Sequence, residues 1–161
     1  HRLTHLEIVN SQDFPRFQKL NITADMQVAG DFTQPKNWKE NEFLIGDKTK
    51  NFVPLKSLFD AGARITLSSD WDVSGLNPFV GMQNALTRKP QILSDLKDVI
   101  KSYTLTPAYT MRQENLVGSI EVGKQADLIV IDQNLFDIPV EQINKTKVLA
   151  TYLRGEKVYE Q

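Results

Sequence analysis

The sequence predicts an α/β protein, in which a parallel sheet with covering helices is followed by a small antiparallel β unit. Short apolar strands alternate with helical patterns over residues 1–88, and units of about 30 residues are typical of a parallel sheet. At Gly118 the pattern changes to paired short strands with glycine turns. A closed barrel of eight strand–helix units needs about 250 residues, so this chain of 161 residues can hold only part of one.

The first unit is expected to be a strand over residues 2–9 and a helix that begins near Ser11. Pro15 lies in the first turn of this helix, and Phe14, Phe17 and Leu20 follow helical spacing. No cap or turn precedes the strand, so we expect the chain to begin inside a fold.

The second unit is expected to be a strand over residues 22–28 and a polar loop over residues 30–51. A loop of this length is usually functional or mobile. A helix over residues 54–61 then ends at Gly62, a residue type that suits the C′ position. A third strand over residues 64–67 follows directly.

Three further helices are expected after the third strand. Asn77 and Pro78 indicate an N-cap and a first helical residue, and this helix ends before Pro90. Ser94 is expected to cap the next helix, and Thr106 opens a shorter one.

The chain is expected to end in two hairpins. The first pairs residues 119–122 with residues 126–131, and the second pairs residues 148–153 with residues 157–159. We place the boundary between the two parts of the chain so that residues 1–115 form the first and residues 116–161 the second.

Composition excludes several classes of function. The net charge is −1 with scattered Lys and Arg, so the chain has no electrostatic footprint for nucleic acid. Its longest apolar run, residues 128–131, is far below the ~20 residues of a membrane helix. Because it has no cysteine, any metal must use His and carboxylate ligands. We expect a cytoplasmic protein, although a chain that begins inside a fold could not show a signal peptide.

Two polar residues, one on a predicted strand and one just after another, are the candidates for chemistry. His5 lies on the first strand and Asp70 follows the third, so both belong to the carboxyl edge where α/β proteins place their sites. Imidazole and carboxylate are ligands of zinc and related divalent ions. Taken alone, a histidine and an aspartate on strands are more often a core histidine and a helix-capping or turn aspartate than metal ligands.

The residues around Asp70 allow two readings. Trp71 and Asp72 are candidates for lining a substrate pocket, but a tryptophan in such a loop also packs against the following helix. Ser68 and Ser69 lack the G-x-S-x-G setting of a nucleophilic serine. The glycines of the tail have no strand–loop–helix context and are assigned to turns rather than to a phosphate cradle.

Several separated segments resemble one family. Residues 1–5 (HRLTH) resemble the Arg-hydrophobic-Glu-His strand of the amidohydrolase superfamily, in particular its branch of N-substituted formamide deformylases and related metal-dependent hydrolases. Residues 25–27 are similar to the Ser-Met-Gln-Pro strand of that branch. Residues 58–64 resemble its leucine-rich helix and Gly-Ala-Arg strand, and residues 69–73 its Ser-Asp-Trp-Pro-Val ending. The similarity continues at residues 103–104 and in residues 118–132, which resemble a specific signature of the family's C-terminal strands.

The resemblance implies a partial TIM barrel with the last three strand–helix units in residues 1–115, followed by the C-terminal part of a β-sandwich in residues 116–161. It implies a divalent metal, zinc above all, with one or two ions in the complete protein. His5 would be a metal ligand. Asp70 would bind metal, act as general base through metal-activated water, and return the proton to the departing amine of a small amide or formamide substrate.

Three departures from the family pattern are visible. The paired histidines of strand one, the lysine of strand four and the histidine of strand five have no counterpart, because those strands would precede residue 1. Thr4 stands where the family has Glu, and Asp72 stands where it commonly has Pro. Since a catalytic zinc normally has three protein ligands, we expect this chain alone to lack activity.

Two other hypotheses stay open at this point. The chain could be a non-catalytic assembly module whose open edge at residues 2–9 pairs with the rest of the fold or with a second copy. It could also be a binding domain with an incomplete metal site, which the Thr4 departure favours.

Overall fold

The computed structural model describes residues 1–30, 33–34 and 37–161, and it contains two separate three-stranded sheets with helices around the first. The strands are β1 (Arg2–His5), β2 (Thr23–Gln27), β3 (Arg64–Ser68), β4 (Leu128–Ile131), β5 (Val148–Leu153) and β6 (Glu156–Glu160). The helices are α1 (Phe14–Lys19), α2 (Trp38–Ile45), α3 (Leu55–Asp60), α4 (Pro78–Thr87), α5 (Leu96–Tyr103) and α6 (Leu105–Thr110). The predicted α/β class is confirmed.

The first sheet is parallel, with the strand order β1-β2-β3. On one face, Ala24 and Met26 of β2 and Ile65 and Leu67 of β3 belong to the hydrophobic core. The residues between them alternate to the other face, which is polar. There the Thr66 hydroxyl donates to the buried Asp25 carboxylate at 3.1 Å. The central strand β2 is buried along its whole length.

The first strand is shorter than predicted. It ends at His5 instead of residue 9, because His5 and Leu6 have φ angles of 70° and 61°. Left-handed backbone cannot continue an extended strand. The chain beyond is attached differently, since the Val53 backbone N–H donates to the Glu7 carbonyl at 2.8 Å.

The prediction of a single loop over residues 30–51 is wrong for the described part of that segment. It contains the helix α2 and a 3-10 turn over Gly46–Asn51. Residues 31–32 and 35–36 lie outside the described residues. The apolar pattern of α2 is weak, and this is why periodicity does not detect it.

The helices after the second strand largely confirm the predictions. Helix α3 is followed by Gly62 at φ 80°, and the Asn77 side chain caps α4 by accepting from the Phe79 backbone N–H at 2.9 Å. The cap of α5 is Asp95 and not Ser94, because the Asp95 carboxylate accepts from the Lys97 N–H at 2.8 Å. The last helix begins one residue earlier than predicted, at Leu105.

A buried arginine joins three segments of the core. Arg88, just after α4, is 2% exposed, and its guanidinium donates to the carbonyls of Val53 and Thr33, both at 2.9 Å. Burial lowers the pKa of Arg88 to about 10, because the charged form loses solvation.

The second sheet is antiparallel, with β5 between β4 and β6. The predicted second hairpin is confirmed, and Arg154 and Gly155 form its turn with φ angles of 52° and 84°. The predicted first hairpin is wrong, because β4 pairs with β5 while residues 119–122 form no strand. Ile120 and Val122 are almost fully exposed, so among the described residues no neighbouring strand packs against these apolar side chains to stabilise a strand there.

The two parts of the chain share one core. Leu135 and Ile143, from the second part, belong to the same buried cluster as the apolar face of the first sheet. The Asn144 N–H donates to the Gln83 side chain on α4 at 3.1 Å. Within the described residues, none of the helices has the combined length and apolarity that crossing a bilayer requires.

Candidate active site

His5 and Asp70 lie at the same edge of the first sheet. His5 is the last residue of β1, and Asp70 comes two residues after the end of β3. Because the strands are parallel, both residues follow carboxyl ends. Each also has a left-handed backbone, with φ angles of 70° and 51°, so the chain turns sharply where each side chain projects.

The two side chains converge. His5 Nε2 and Asp70 Oδ2 are 3.9 Å apart, and the side chains are 50% and 40% exposed. Two atoms at about 2.1 Å from one tetrahedral zinc are about 3.4 Å apart. The observed separation exceeds a hydrogen bond but is within reach of a shared ion after a small side-chain movement.

A second carboxylate faces the other nitrogen of His5. Glu7 Oε1 lies 3.3 Å from His5 Nδ1, and the Glu7 side chain is 29% exposed. A metal-binding histidine usually offers its second nitrogen to a carboxylate, which orients the ring. Sequence reasoning does not single out Glu7; its position two residues after His5 is the signal that could have done so.

In the part of the chain that the structure describes, this edge offers two proposed protein ligands, His5 and Asp70. Within the described ranges, no group of three or more His, Asp or Glu side chains is arranged to hold a metal ion. The His5–Asp70 pair therefore fits a divalent cation in ligand type and separation, but it would supply only part of the coordination sphere.

Gln27 is the last residue of β2, the strand that lies between β1, which carries His5, and β3, which leads to Asp70. Its neighbour Met26 pairs in register with His5, and Gln27 itself pairs with Ser68. Gln27 is 4% exposed, and its Nε2 donates to Ser68 Oγ at 3.2 Å. Sequence reasoning does not identify it as a site residue, although a polar side chain at the end of a buried strand is a usable signal.

The predicted pocket residues lie beside Asp70 in the following loop. Trp71 is 68% exposed, and Asp72 is also exposed. Trp71 and Asp72 are near the His5–Asp70 pair because they directly follow Asp70 in the chain. Their role in substrate binding therefore stays a prediction.

A cavity of about 620 Å³ lies at the opposite, amino end of the strands. Its lining includes Arg2, Arg64, Tyr109 and Glu114, and it contains neither His5 nor Asp70. The Arg64 guanidinium stacks 3.8 Å from the Tyr109 ring centre. Since α/β proteins assemble their sites at the carboxyl ends of parallel strands, we do not place the active site there.

Fold and site together define the class of this protein: an α/β chain that brings an imidazole and a carboxylate, both ligand types of divalent metals, to the carboxyl edge of a parallel sheet. Residues 1–159 match the Amidohydrolase family, and the chain belongs to this family. The resemblance of the sequence motifs to amidohydrolases is therefore confirmed.

Two relatives are similar to this chain over a limited share of their own length. It is 31% identical over 115 residues to the N-substituted formamide deformylase of Arthrobacter pascens, a match that covers 66% of this chain and 21% of the relative. It is 32% identical over 113 residues to the imidazolonepropionase of Bdellovibrio bacteriovorus (strain ATCC 15356 / DSM 50701 / NCIMB 9529 / HD100), covering 70% of this chain and 26% of the relative. The matches thus span about a fifth to a quarter of these proteins.

A solved structure supports the fold. The amidohydrolase from Thermotoga maritima MSB8 is similar with a TM-score of 0.69 at 23% identity, over 94% of this chain and 35% of that one. At this identity the likeness concerns the fold alone.

Proposed function

We propose that this chain supplies the carboxyl-edge residues of a metal-dependent hydrolase that cleaves a non-peptide C–N bond in a small amide or formamide. The observation that carries the proposal is the convergence of His5 and Asp70, whose Nε2 and Oδ2 atoms are 3.9 Å apart although the residues lie on different strands. Membership of the Amidohydrolase family supports the reaction class.

We propose further that the first sheet and its helices, residues 1–115, are the last three units of a TIM barrel. The parallel order β1-β2-β3 supports this. The antiparallel sheet in residues 116–161 would then be the C-terminal part of a β-sandwich. All four residues of β1 are exposed, so its outer edge is where further strands of a barrel, or a second copy of the chain, would pair. A strict monomer by light scattering of the purified chain would argue against pairing with a copy.

The cation we propose is zinc, with one or two ions in the complete protein. His5 Nε2 and Asp70 Oδ2 would hold it, and Glu7 would orient the His5 ring from its Nδ1 side. When bound, a divalent metal supplies Lewis acidity that lowers the pKa of water to near neutrality. A cytoplasmic location stays a prediction.

Asp70 is the proposed proton carrier. Its carboxylate would accept a proton from the water that attacks the amide carbon, so that a C–O bond forms. The same proton would then pass to the amine nitrogen as the C–N bond breaks, and a carboxylic acid, which releases its own proton to solvent, and an amine would leave. Trp71 and Asp72, next in the chain, are the proposed contacts to the substrate.

The test is zinc binding by the purified chain. It uses a His1→Ala background, because His1 is the other histidine of the chain and would add a second zinc-binding imidazole. In this background, His5→Ala and Asp70→Asn should each weaken zinc binding by at least about tenfold. Equilibrium dialysis with zinc measures the effect.

Asp72→Asn is the matched control, since it removes an exposed carboxylate of the same loop that is not a proposed ligand. Zinc affinity unchanged by both His5→Ala and Asp70→Asn would contradict the proposed metal site. An equal loss in Asp72→Asn would show that the affinity depends on the charge of the loop rather than on the pair.

A further inference from the structure

The buried carboxamide of Gln27 has a free end. Its Nε2 has a partner in Ser68 Oγ, but its Oε1 is buried and has no hydrogen-bond partner in the part of the chain that the structure describes. Leaving such a group unsatisfied is destabilising, because it loses its hydration without gaining a partner. An apolar side chain of similar size would avoid that cost, so the presence of the amide calls for an explanation.

Another buried glutamine shows the usual arrangement. Gln91 is 6% exposed, and both ends of its carboxamide have partners on Ser57: Oε1 accepts from the Ser57 N–H at 3.0 Å, and Nε2 donates to Ser57 Oγ at 3.1 Å. The core therefore accommodates a glutamine without leaving an atom unpaired. The unpaired oxygen of Gln27 is a local feature of the carboxyl edge.

The placement of Gln27 connects it to the proposed site. It ends the central strand, with the strand of His5 on one side and the strand that leads to Asp70 on the other. Its bond to Ser68 holds the carboxamide against β3. A substrate held between His5 and Asp70 would lie across the end of β2.

We infer that Gln27 is a substrate-binding residue whose Oε1 accepts a hydrogen bond from the N–H of the scissile amide; this rests on the proposed function. An amide oxygen is an acceptor only, so it favours substrates that carry an N–H over those in which the nitrogen is fully substituted. A site built to bond a donor strongly rejects the analogue that lacks it, because the buried acceptor is then left unpaired.

The test compares N-cyclohexylformamide with N-cyclohexyl-N-methylformamide on the complete natural protein loaded with zinc. Formate release, followed by proton NMR, reports kcat/KM for each compound. The wild type should prefer the N–H compound, and Gln27→Met should reduce its kcat/KM by about 10–100-fold. The N-methyl compound should be almost unaffected by Gln27→Met, because both hydrogen-bonding partners are then absent. Gln91→Met is the control and should keep the preference.

A second measurement separates this inference from the proposed function. Ligand-observed NMR on the metal-free protein measures binding of both compounds without turnover. If the wild type hydrolyses neither compound but binds the N–H compound better, and Gln27→Met abolishes that preference, the proposed function fails and the role of Gln27 stands.

Two kinetic results would overturn the role of Gln27: equal kcat/KM of the wild type for both compounds, or equal losses for both compounds in Gln27→Met. Where the wild type hydrolyses neither compound, equal binding of both compounds or binding of neither would overturn it. If Gln27→Met does not fold, Gln27→Asn replaces it in the test, because its shorter side chain withdraws the carboxamide by one methylene. This variant should reduce the preference for the N–H compound, and an unchanged preference would overturn the role of Gln27.

Discussion

Helix α4 begins at the end of the Asp70 loop, and its packing against α5 depends on a glycine. Gly81 lies on the buried face of α4, and a Cβ built at this position would overlap the hydroxyl oxygen of Tyr103 on α5. The ring carbon that bears this hydroxyl would be 3.2 Å away, a tight but tolerable contact. Gly81→Ala is therefore a direct test of the α4–α5 contact.

The expected magnitude follows from two opposing effects. Glycine to alanine inside a helix normally stabilises by about 1 kcal/mol. Overpacking of a core costs about 1–3 kcal/mol, and the partly buried Tyr103 side chain packs against the core, which limits how far it can withdraw. We expect Gly81→Ala to lower the free energy of unfolding by about 1–2 kcal/mol, or the Tm by about 2–8 °C for a chain of this size.

A double-mutant cycle with Tyr103→Phe isolates the cause. Removing the hydroxyl relieves the overlap, so Gly81→Ala should be neutral or stabilising by up to about 1 kcal/mol in that background. Urea unfolding of the four proteins, followed by circular dichroism, measures the coupling. An equal effect of Gly81→Ala in both backgrounds would refute the assigned contact.

Two further predictions concern buried ionisable groups. Arg88→Met removes the donor of two core carbonyls and should lower the free energy of unfolding by about 3–5 kcal/mol. The control, Arg154→Met at an exposed position, should change the free energy measured by urea unfolding by less than about 0.5 kcal/mol. Similar effects of the two substitutions would contradict the role of Arg88. Burial raises the pKa of Tyr103 above its ordinary 10.0, so above about pH 10 the unfolded chain loses this proton while the native one keeps it. The free energy of unfolding should then fall by about 1.4 kcal/mol per pH unit, and Tyr103→Phe should remove this contribution. If the wild type and Tyr103→Phe lose stability in parallel between pH 9.5 and 11, Tyr103 does not titrate in this way.

Most elements could be predicted from the sequence because their signals are local. Asn77 and Pro78 mark the start of α4 through cap chemistry, and Gly62 ends α3 at a positive φ. The first sheet follows from the spacing of its apolar strands. Where local signals compete, prediction misses by a residue, as with Asp95 in place of Ser94.

Part of the candidate site could also be predicted from the sequence. The sequence selects His5 and Asp70 as residue types at strand ends, and its motifs resemble the family to which the chain belongs. It does not select Glu7 or Gln27. Their significance depends on which atoms face them, and such contacts join residues that are not related by any helix or strand period.

The sequence by itself determined the class of fold, most of the caps and turns, and the two residue types proposed to hold a metal. Tertiary structure decided that His5 Nε2 and Asp70 Oδ2 approach within 3.9 Å. Among the described residues, it also left residues 119–122 without a strand partner and Gln27 Oε1 without a hydrogen-bond partner. The division has a physical reason. Caps, turns and amphipathic periods arise within a few residues of chain, whereas strand pairing, burial and the approach of two side chains depend on segments that meet only when the core has formed.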